Sequence, residues 1–133
     1  MATSLSAGLI VYDILTNSQA VSSLATRVFP VVIADDENVE LPYVCYHRTR
    51  MDQTPVKGTG RVNDTVCIVV DCYGSSYEQS IELAEAVRTA LDGLYEYHAT
   101  EDIILRSSFL IDAEDFADED GNIVQELTFN LRI

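Results

Sequence analysis

The sequence predicts an α+β fold: a mostly antiparallel four- to five-stranded sheet with one long helix and an N-terminal helix packed on it. Two segments have apolar residues at the spacing of a helix face, and several shorter segments alternate or run apolar as strands do. The segment order is helix, short helix, two or three strands, long helix and closing hairpin, which favours helices on one face of the sheet. With 133 residues and neither repeat nor linker, residues 1–133 are expected to form a single domain.

An amphipathic helix is predicted first, over residues 5–15, with Ser4 as a candidate N-cap. The apolar positions on its face, three or four residues apart, are Leu5, Leu9, Tyr12 and Leu15. Asn17 and Ser18 interrupt this helix. The apolar residues between 21 and 28 then suggest a short second helical turn, which Pro30 ends or redirects.

Two or three strands are predicted before the long helix. Residues 31–34 are a short candidate, and residues 43–51 alternate and are rich in β-branched and aromatic side chains. Residues 65–73 give the strongest strand signal and are expected to be central and covered on both faces. Residues 52–62 contain proline and glycine and lack periodicity, so we expect a long exposed connection there.

The long helix is predicted over residues 77–94. Capping-box spacing occurs immediately before it, either as Ser75 with Glu78 or as Ser76 with Gln79. The apolar stripe consists of Ile81, Ala84, Val87, Leu91 and Leu94. Charged residues occupy the other faces, so the helix is expected to pack across the sheet and leave one side in water.

A hairpin closes the chain. Residues 103–111 and 123–133 are its predicted strands, and Asp120 with Gly121 forms a favourable turn between them. The intervening stretch, residues 112–120, carries six acidic residues and is interpreted as a solvated acidic loop.

The charge balance is strongly acidic, with 22 acidic against 8 basic residues and a formal net charge of −14. Such a charge repels phosphate backbones and anionic lipids, so neither nucleic acid nor membrane is an expected partner. The longest apolar stretches are far shorter than the ~20 residues of a membrane-spanning helix. The N-terminus has no secretory or lipidation pattern, so we expect the protein to be made and used in the cytosol.

The sequence offers little for catalysis or cofactor binding. The paired glycines at 58 and 60 fit neither a phosphate-binding P-loop nor a dinucleotide fingerprint, and no nucleophile elbow is present. Residues 118–121 superficially resemble a calcium loop, but Phe116 and Leu127 stand where an EF-hand needs acids. We therefore expect no enzymatic activity, no catalytic residue and no cofactor.

Three cysteines, Cys45, Cys67 and Cys72, lack the paired spacing of zinc or redox sites, which favours buried free thiols. A metal site is the alternative. Cys45 and His47 share one strand face, and Cys67 or Asp71 could approach them from a neighbouring strand. Because each residue is equally explained as part of a half-buried sheet, no metal is predicted.

Charge is segregated along the chain. Four of the eight basic residues fall within fourteen residues that contain one acid; they are Arg48, Arg50, Lys57 and Arg61. The acids of the opposite pole are Asp112, Glu114, Asp115, Asp118, Glu119 and Asp120. Such a molecule can bind copies of itself head to tail, so these ten residues are the candidate interface. An ordinary mixture of surface charges is the alternative.

Three sequence motifs, taken in order, resemble the tail-completion or tail-terminator family of long-tailed bacteriophages. After the N-terminal helix, LPYV enters a strand at residues 41–44; VCIVVDCYG at 66–74 precedes a helix that ends in AVRTAL at 86–91; and LTFNLRI closes the chain at 127–133. The resemblance covers nearly the whole chain. It depends on the order and spacing of hydrophobic patterns rather than on any single motif.

The resemblance implies a subunit of a sixfold ring that caps the tail tube, stops its growth and joins tail to head. The implied partners are further copies of itself, the major tail-tube protein and the head-tail connector, and the implied location is the virion tail after assembly in the host cytoplasm. No catalytic residues accompany it. A head-completion or minor capsid protein is one alternative, and a small ligand-binding regulatory α+β domain is another.

Overall fold

The computed structural model describes residues 4–31, 40–55, 62–98 and 104–133, which form three α-helices and six strands. The helices are α1 (Ala7–Asn17), which follows a 3-10 turn at Ser4–Ser6, α2 (Gln19–Leu24) and α3 (Tyr77–Leu91). The strands are β1 (Val28–Pro30), β2 (Tyr43–Pro55), β3 (Val62–Gly74), β4 (Leu94–His98), β5 (Ile104–Ala117) and β6 (Ile123–Arg132). Of the helices described, none is long and apolar enough to cross a bilayer.

The six strands form one sheet in the order β1-β2-β3-β6-β5-β4. Every neighbouring pair is antiparallel except β1 and β2, which are parallel. The α+β class is therefore confirmed, whereas the expected count of four to five strands was too low. The two short outer strands, β1 and β4, carry too few residues for a periodic pattern to reveal them.

The helices pack on one face of the sheet and enclose the hydrophobic core. Alternate residues of β2, β3 and β6 point to that face, as a two-residue side-chain period requires. Buried residues of these strands include Val44, Ile68, Val70, Leu127, Phe129 and Leu131. The helices contribute Ile10, Val11, Ile14, Leu15, Leu83, Val87 and Leu91.

The predicted central strand at residues 65–73 is confirmed within β3, which lies between β2 and β6. The sequence predicted that both faces of this strand are covered, and the structure differs from that on one face. The residues of β3 on the second face of the sheet are not part of the hydrophobic core cluster; Val69 is buried there, while Asp71 and Tyr73 are half-buried. We call this second face the open face.

The apolar stripe expected on the first helix is largely exposed: Leu5 is 60%, Leu9 71% and Tyr12 44% accessible. The buried side of α1 is formed by Ala7, Ile10, Val11 and Ile14, together with Leu15, the member of the expected stripe that is buried as predicted. Both sets have helical spacing, because α1 is apolar around much of its circumference. Packing on the sheet selected the stripe with more β-branched side chains.

The second helix is shorter than expected, because α2 ends at Leu24 and residues 28–30 form β1. The main chain there pairs with β2: the Val44 N–H donates to the Arg27 carbonyl over 3.0 Å. A strand at residues 31–34 was predicted. Val31 lies just beyond β1 and donates its N–H to the Tyr46 carbonyl, while residues 32–34 lie outside the described part.

The long helix begins as predicted and ends earlier. The sequence left two N-caps open, and the structure forms the one with Ser76 and Gln79. The Ser76 side chain accepts from the Gln79 N–H over 3.1 Å, and the Ser75 N–H donates to the Gln79 side chain over 2.7 Å. The helix ends at Leu91 rather than at residue 94, because Gly93 has a φ of +75° and turns the chain. Leu94 then begins β4.

Two predicted loops are partly strand. β2 extends to Pro55 and β3 begins at Val62, so the connection expected over residues 52–62 is shorter, and residues 56–61 lie outside the described part. The acidic stretch is strand up to Ala117, because β6 pairs with it in register. The turn beyond it is confirmed: Gly121 has a φ of +82°, and its N–H donates to the Asp118 carbonyl.

Candidate assembly surfaces

The described part of the basic segment lies on β2, at one side of the sheet. Arg48 donates from a guanidinium nitrogen to the Leu5 carbonyl over 3.1 Å, which ties it to the helix side. Arg50 forms an ion pair with Asp52 over 2.9 Å, and both side chains are largely exposed. The candidate residues Lys57 and Arg61 lie outside the described part of the chain. Only half of the predicted basic group is therefore placed.

The acidic segment divides into two parts with different roles. Asp112, Glu114 and Asp115 lie on β5 and are exposed. Asp112 accepts the Ala113 N–H over 2.9 Å, and Asp115 accepts the Tyr77 hydroxyl over 3.0 Å. All three remain available to a partner at the surface.

The remaining three acids lie in the turn between β5 and β6. The Asp118 carboxylate accepts the main-chain N–H groups of Asp120 and Asn122 over 3.0 and 2.8 Å, and the Asn122 amide over 3.0 Å. Asp118 therefore shapes the turn. Glu119 and Asp120 are exposed at its tip.

A row of carboxylates crosses the open face, and sequence reasoning missed it. Asp71 on β3 lies opposite Glu126 on β6, and Glu126 lies opposite Glu114 on β5. Burial, a hydrogen bond with Glu126 and the charges of Glu126 and Glu114 raise the pKa of Asp71 from 3.8 to about 7. One Asp71 carboxylate oxygen is buried and has no hydrogen-bond partner. Strand alternation placed these residues away from the core, but only the pairing of the strands shows that they are neighbours.

The residues of the alternative metal site do not converge. Cys45 lies opposite Asp71, His47 opposite Val69, and Cys67 opposite Arg50 further along the sheet. Burial and the nearby Asp71 charge raise the pKa of the Cys45 thiol to about 12, so it is a poor metal ligand at neutral pH. Within the described ranges no three ligating side chains form a metal-binding group.

A groove of about 860 Å³ runs beside the N-terminal helix turn and reaches the open face. Its walls include Leu9, Pro30, Tyr43, His47, Asp71 and Tyr73. The stacked rings of Tyr43 and Tyr73, 4.7 Å apart, form one wall. The lining combines apolar and ionisable side chains, and no sequence motif predicted this groove.

Large apolar side chains are exposed near both lateral edges of the sheet. Leu9 and Val31 lie beside β2, and Ile111 and Phe116 lie on β5; the accessible fractions are between 42% and 71%. Such side chains beside a charged segment are typical of protein–protein contact surfaces. The same surfaces carry the candidate charges.

No family model and no curated protein matches this chain. A solved structure does: a chain in the structure of the virion of a native gene transfer agent particle is 18% identical and superposes with a TM-score of 0.72. The alignment covers 92% of this chain and 90% of that chain. The two chains share one fold. At this identity the likeness concerns the fold, and it extends over nearly the whole of both chains.

Proposed function

We propose that this protein is a non-enzymatic structural subunit of a phage-like virion, which forms a ring on the end of the tail tube. The ring ends tail polymerisation by covering the surface on which the next tube ring would assemble, and it offers its other side to the head connector. Its partners are copies of itself, the tail-tube protein and the connector. Its working parts are surfaces rather than reactive side chains.

The fold shared with a virion chain over 92% of this protein is the observation that carries the proposal. The distribution of charge supports it. Arg48 and Arg50 lie on β2, and Asp112, Glu114 and Asp115 lie on β5; these two strands are on opposite sides of the central pair β3 and β6. Opposite charges on opposite sides of one subunit favour head-to-tail contacts, which close into a ring when the rotation between subunits allows it.

Assembly of the purified chain tests the proposal. We expect sedimentation and negative-stain electron microscopy to show rings with a central hole, which dissociate as salt screens the charges. Arg48→Glu combined with Arg50→Glu should shift the population to monomers, whereas Arg88→Glu, on the exposed side of α3, should not. Discrete dimers with no larger species would contradict a ring.

A particle lacking this subunit separates the terminator from the head-completion role. Loss of a terminator should give tails of uncontrolled length, while loss of a head-completion protein should give tails of normal length beside heads that cannot join them. Normal infectious or transducing particles would contradict both roles.

The groove favours the ligand-binding domain as a second candidate, because it is large enough for a small molecule and combines apolar walls with a few polar groups. Such a domain would bind a small apolar or aromatic compound and form a dimer. Thermal stabilisation by one member of a fragment library, lost in Tyr43→Ala, would support this candidate against the ring.

A further inference from the structure

Beyond the short strands β1 and β4, two charged stretches of β2 and β5 form edges of the sheet that pair with no described strand. One outer N–H there, that of Ala113, donates to the Asp112 carboxylate over 2.9 Å, a bond that a partner strand would replace. On β2, β1 pairs only as far as Tyr46, and its outer side over residues 48–53 has no partner among the residues described. On β5, β4 pairs with residues 104–108, and the Leu110 N–H donates to the Asp92 carboxylate. Residues 113–117 form the second edge, called the β5 edge; residues 48–53 are called the β2 edge.

We propose that neighbouring subunits join by main-chain pairing of the β2 edge of one copy with the β5 edge of the next, so that the sheet continues around the ring. This inference rests on the proposed ring and specifies its contact. An unpaired strand edge is a template for another strand. The occupant is a second copy of this chain, because the edges bear opposite charge.

Charge decides which edges meet. Two β5 edges would bring Glu114 and Asp115 of one copy against the same carboxylates of another, and two β2 edges would oppose arginines. Like charges directly opposite each other in a sheet are destabilising, whereas opposite charges stabilise the pair. The contact is therefore head to tail rather than between identical surfaces.

The direction of pairing follows from the topology. Three antiparallel steps, β2 to β3, β3 to β6 and β6 to β5, make β2 and β5 run in opposite directions. Copies arranged around one rotation axis point the same way. The β2 edge therefore meets the β5 edge of the next copy as an antiparallel pair.

The two faces of the sheet restrict the register. Glu114 lies on the open face with its partner Glu126, and Arg50 lies there with its partner Cys67. In a continuous sheet each face stays on its own side, so Arg50 meets Glu114.

Arg48 and Asp115 lie on the helix face, one bonded to the Leu5 carbonyl and the other to the Tyr77 hydroxyl. The register of β2 against β3 shifts between Arg48 and Arg50, which makes Thr49 an extra residue. With that bulge, the register that sets Arg50 opposite Glu114 also sets Arg48 opposite Asp115. A single register therefore forms both ion pairs, each on its own face.

Charge exchange tests the contact. Arg48→Glu with Arg50→Glu makes both edges acidic, and Glu114→Lys with Asp115→Lys makes both edges basic. Each variant alone should associate at least about tenfold more weakly than the wild type. An equal mixture should form rings again, with the two variants alternating. Thermal melts must first show that both variants are folded, and a mixture that stays monomeric would overturn the inference.

A proline tests the main-chain part. Ala113→Pro removes the N–H that, in the single subunit, donates to the Asp112 carboxylate rather than to β6, whereas Ala113→Ser keeps that N–H. We expect the proline variant alone to lose ring formation. Rings that tolerate the proline would leave the proposed function standing and overturn strand pairing, while a wild-type chain that remains monomeric up to about 1 mM would overturn both.

The same register sets Asp52 opposite Asp112. This like-charge pair opposes assembly, so Asp52→Asn should tighten association by up to about fivefold. Glu119→Gln, which removes the same charge from the turn, is the matched control and should change association little. Equal effects of the two substitutions would show that net charge alone matters and would overturn the register.

Discussion

Replacing Asp71 with asparagine should stabilise the protein at neutral and alkaline pH and leave it unchanged in acid. The pKa of Asp71 is raised from 3.8 to about 7 by burial and by the neighbouring Glu126 and Glu114. The folded state therefore binds the Asp71 proton more tightly than the unfolded chain does. Stability falls as the pH rises from about 4 to about 7, and the cost is fully present above that range.

The size of the effect follows from the same shift. A change of about three units corresponds to about 4 kcal/mol at ~1.36 kcal/mol per unit, and the half-buried position of Asp71 lets solvent screen about half of it. We expect Asp71→Asn to gain about 2 kcal/mol at pH 8 and close to nothing at pH 4. The asparagine amide can also donate to Glu126, in place of the carboxyl proton.

Urea denaturation at both pH values measures this difference. The chain has seven tyrosines and no tryptophan, so circular dichroism and tyrosine fluorescence are suitable probes. Glu119→Gln is the control, because it changes the net charge equally at an exposed turn position. Two results would refute the idea that the carboxylate row destabilises the folded state: equal stabilisation by both variants, or a lower free energy of unfolding of Asp71→Asn at pH 8.

Four substitutions test the packing of α1, the cap of α3 and the turn before it. Ile10→Ala should lower the free energy of unfolding by about 2–5 kcal/mol, and Leu9→Ala by less than about 0.5 kcal/mol. Denaturant unfolding measures both. A larger loss in Leu9→Ala would mean that the helix face first expected from the sequence is the buried one. Ser76→Ala should lower the free energy of unfolding by about 1 kcal/mol, because it removes the cap of α3. Ser76→Thr, which keeps a hydroxyl for the cap, is the control. Gly74→Ala should cost about 2 kcal/mol, because its Cβ would lie 2.7 Å from the Ser80 nitrogen. A wild-type melting temperature in this last variant would show that the turn adapts.

Strong local patterns were predicted correctly because they need no knowledge of their neighbours. The nine residues at 65–73 alternate between apolar and mixed faces, Ser76 and Gln79 have cap spacing, and Gly121 permits a positive φ. Each of these signals acts within one element. The structure places all three where the sequence predicted them.

The prediction from sequence failed where segments distant in the chain decide the local structure. The sequence predicted an acidic loop that included residues 112–117. These residues form a strand instead, because they pair with β6. β1 has three residues and exists through its parallel pairing with β2. In α1 two apolar stripes compete, and the sheet buries Ile10 rather than Leu9.

The candidate surface was partly accessible from the sequence. The segregation of Arg48 and Arg50 from the acids of residues 112–120 is visible in the sequence. The sequence does not show that the two groups lie on opposite sides of the sheet. The carboxylate row of Asp71, Glu126 and Glu114 required strand pairing between residues 12 to 55 positions apart in the chain.

The sequence by itself determined the α+β class, the main strands, the start of the long helix and the separation of basic from acidic segments, because these follow from periodicity, caps and composition. Tertiary structure alone decided the strand order, the buried face of α1, the open face and the two opposed edges. These depend on contacts between distant residues, whose free energy is absent from any local window of the chain.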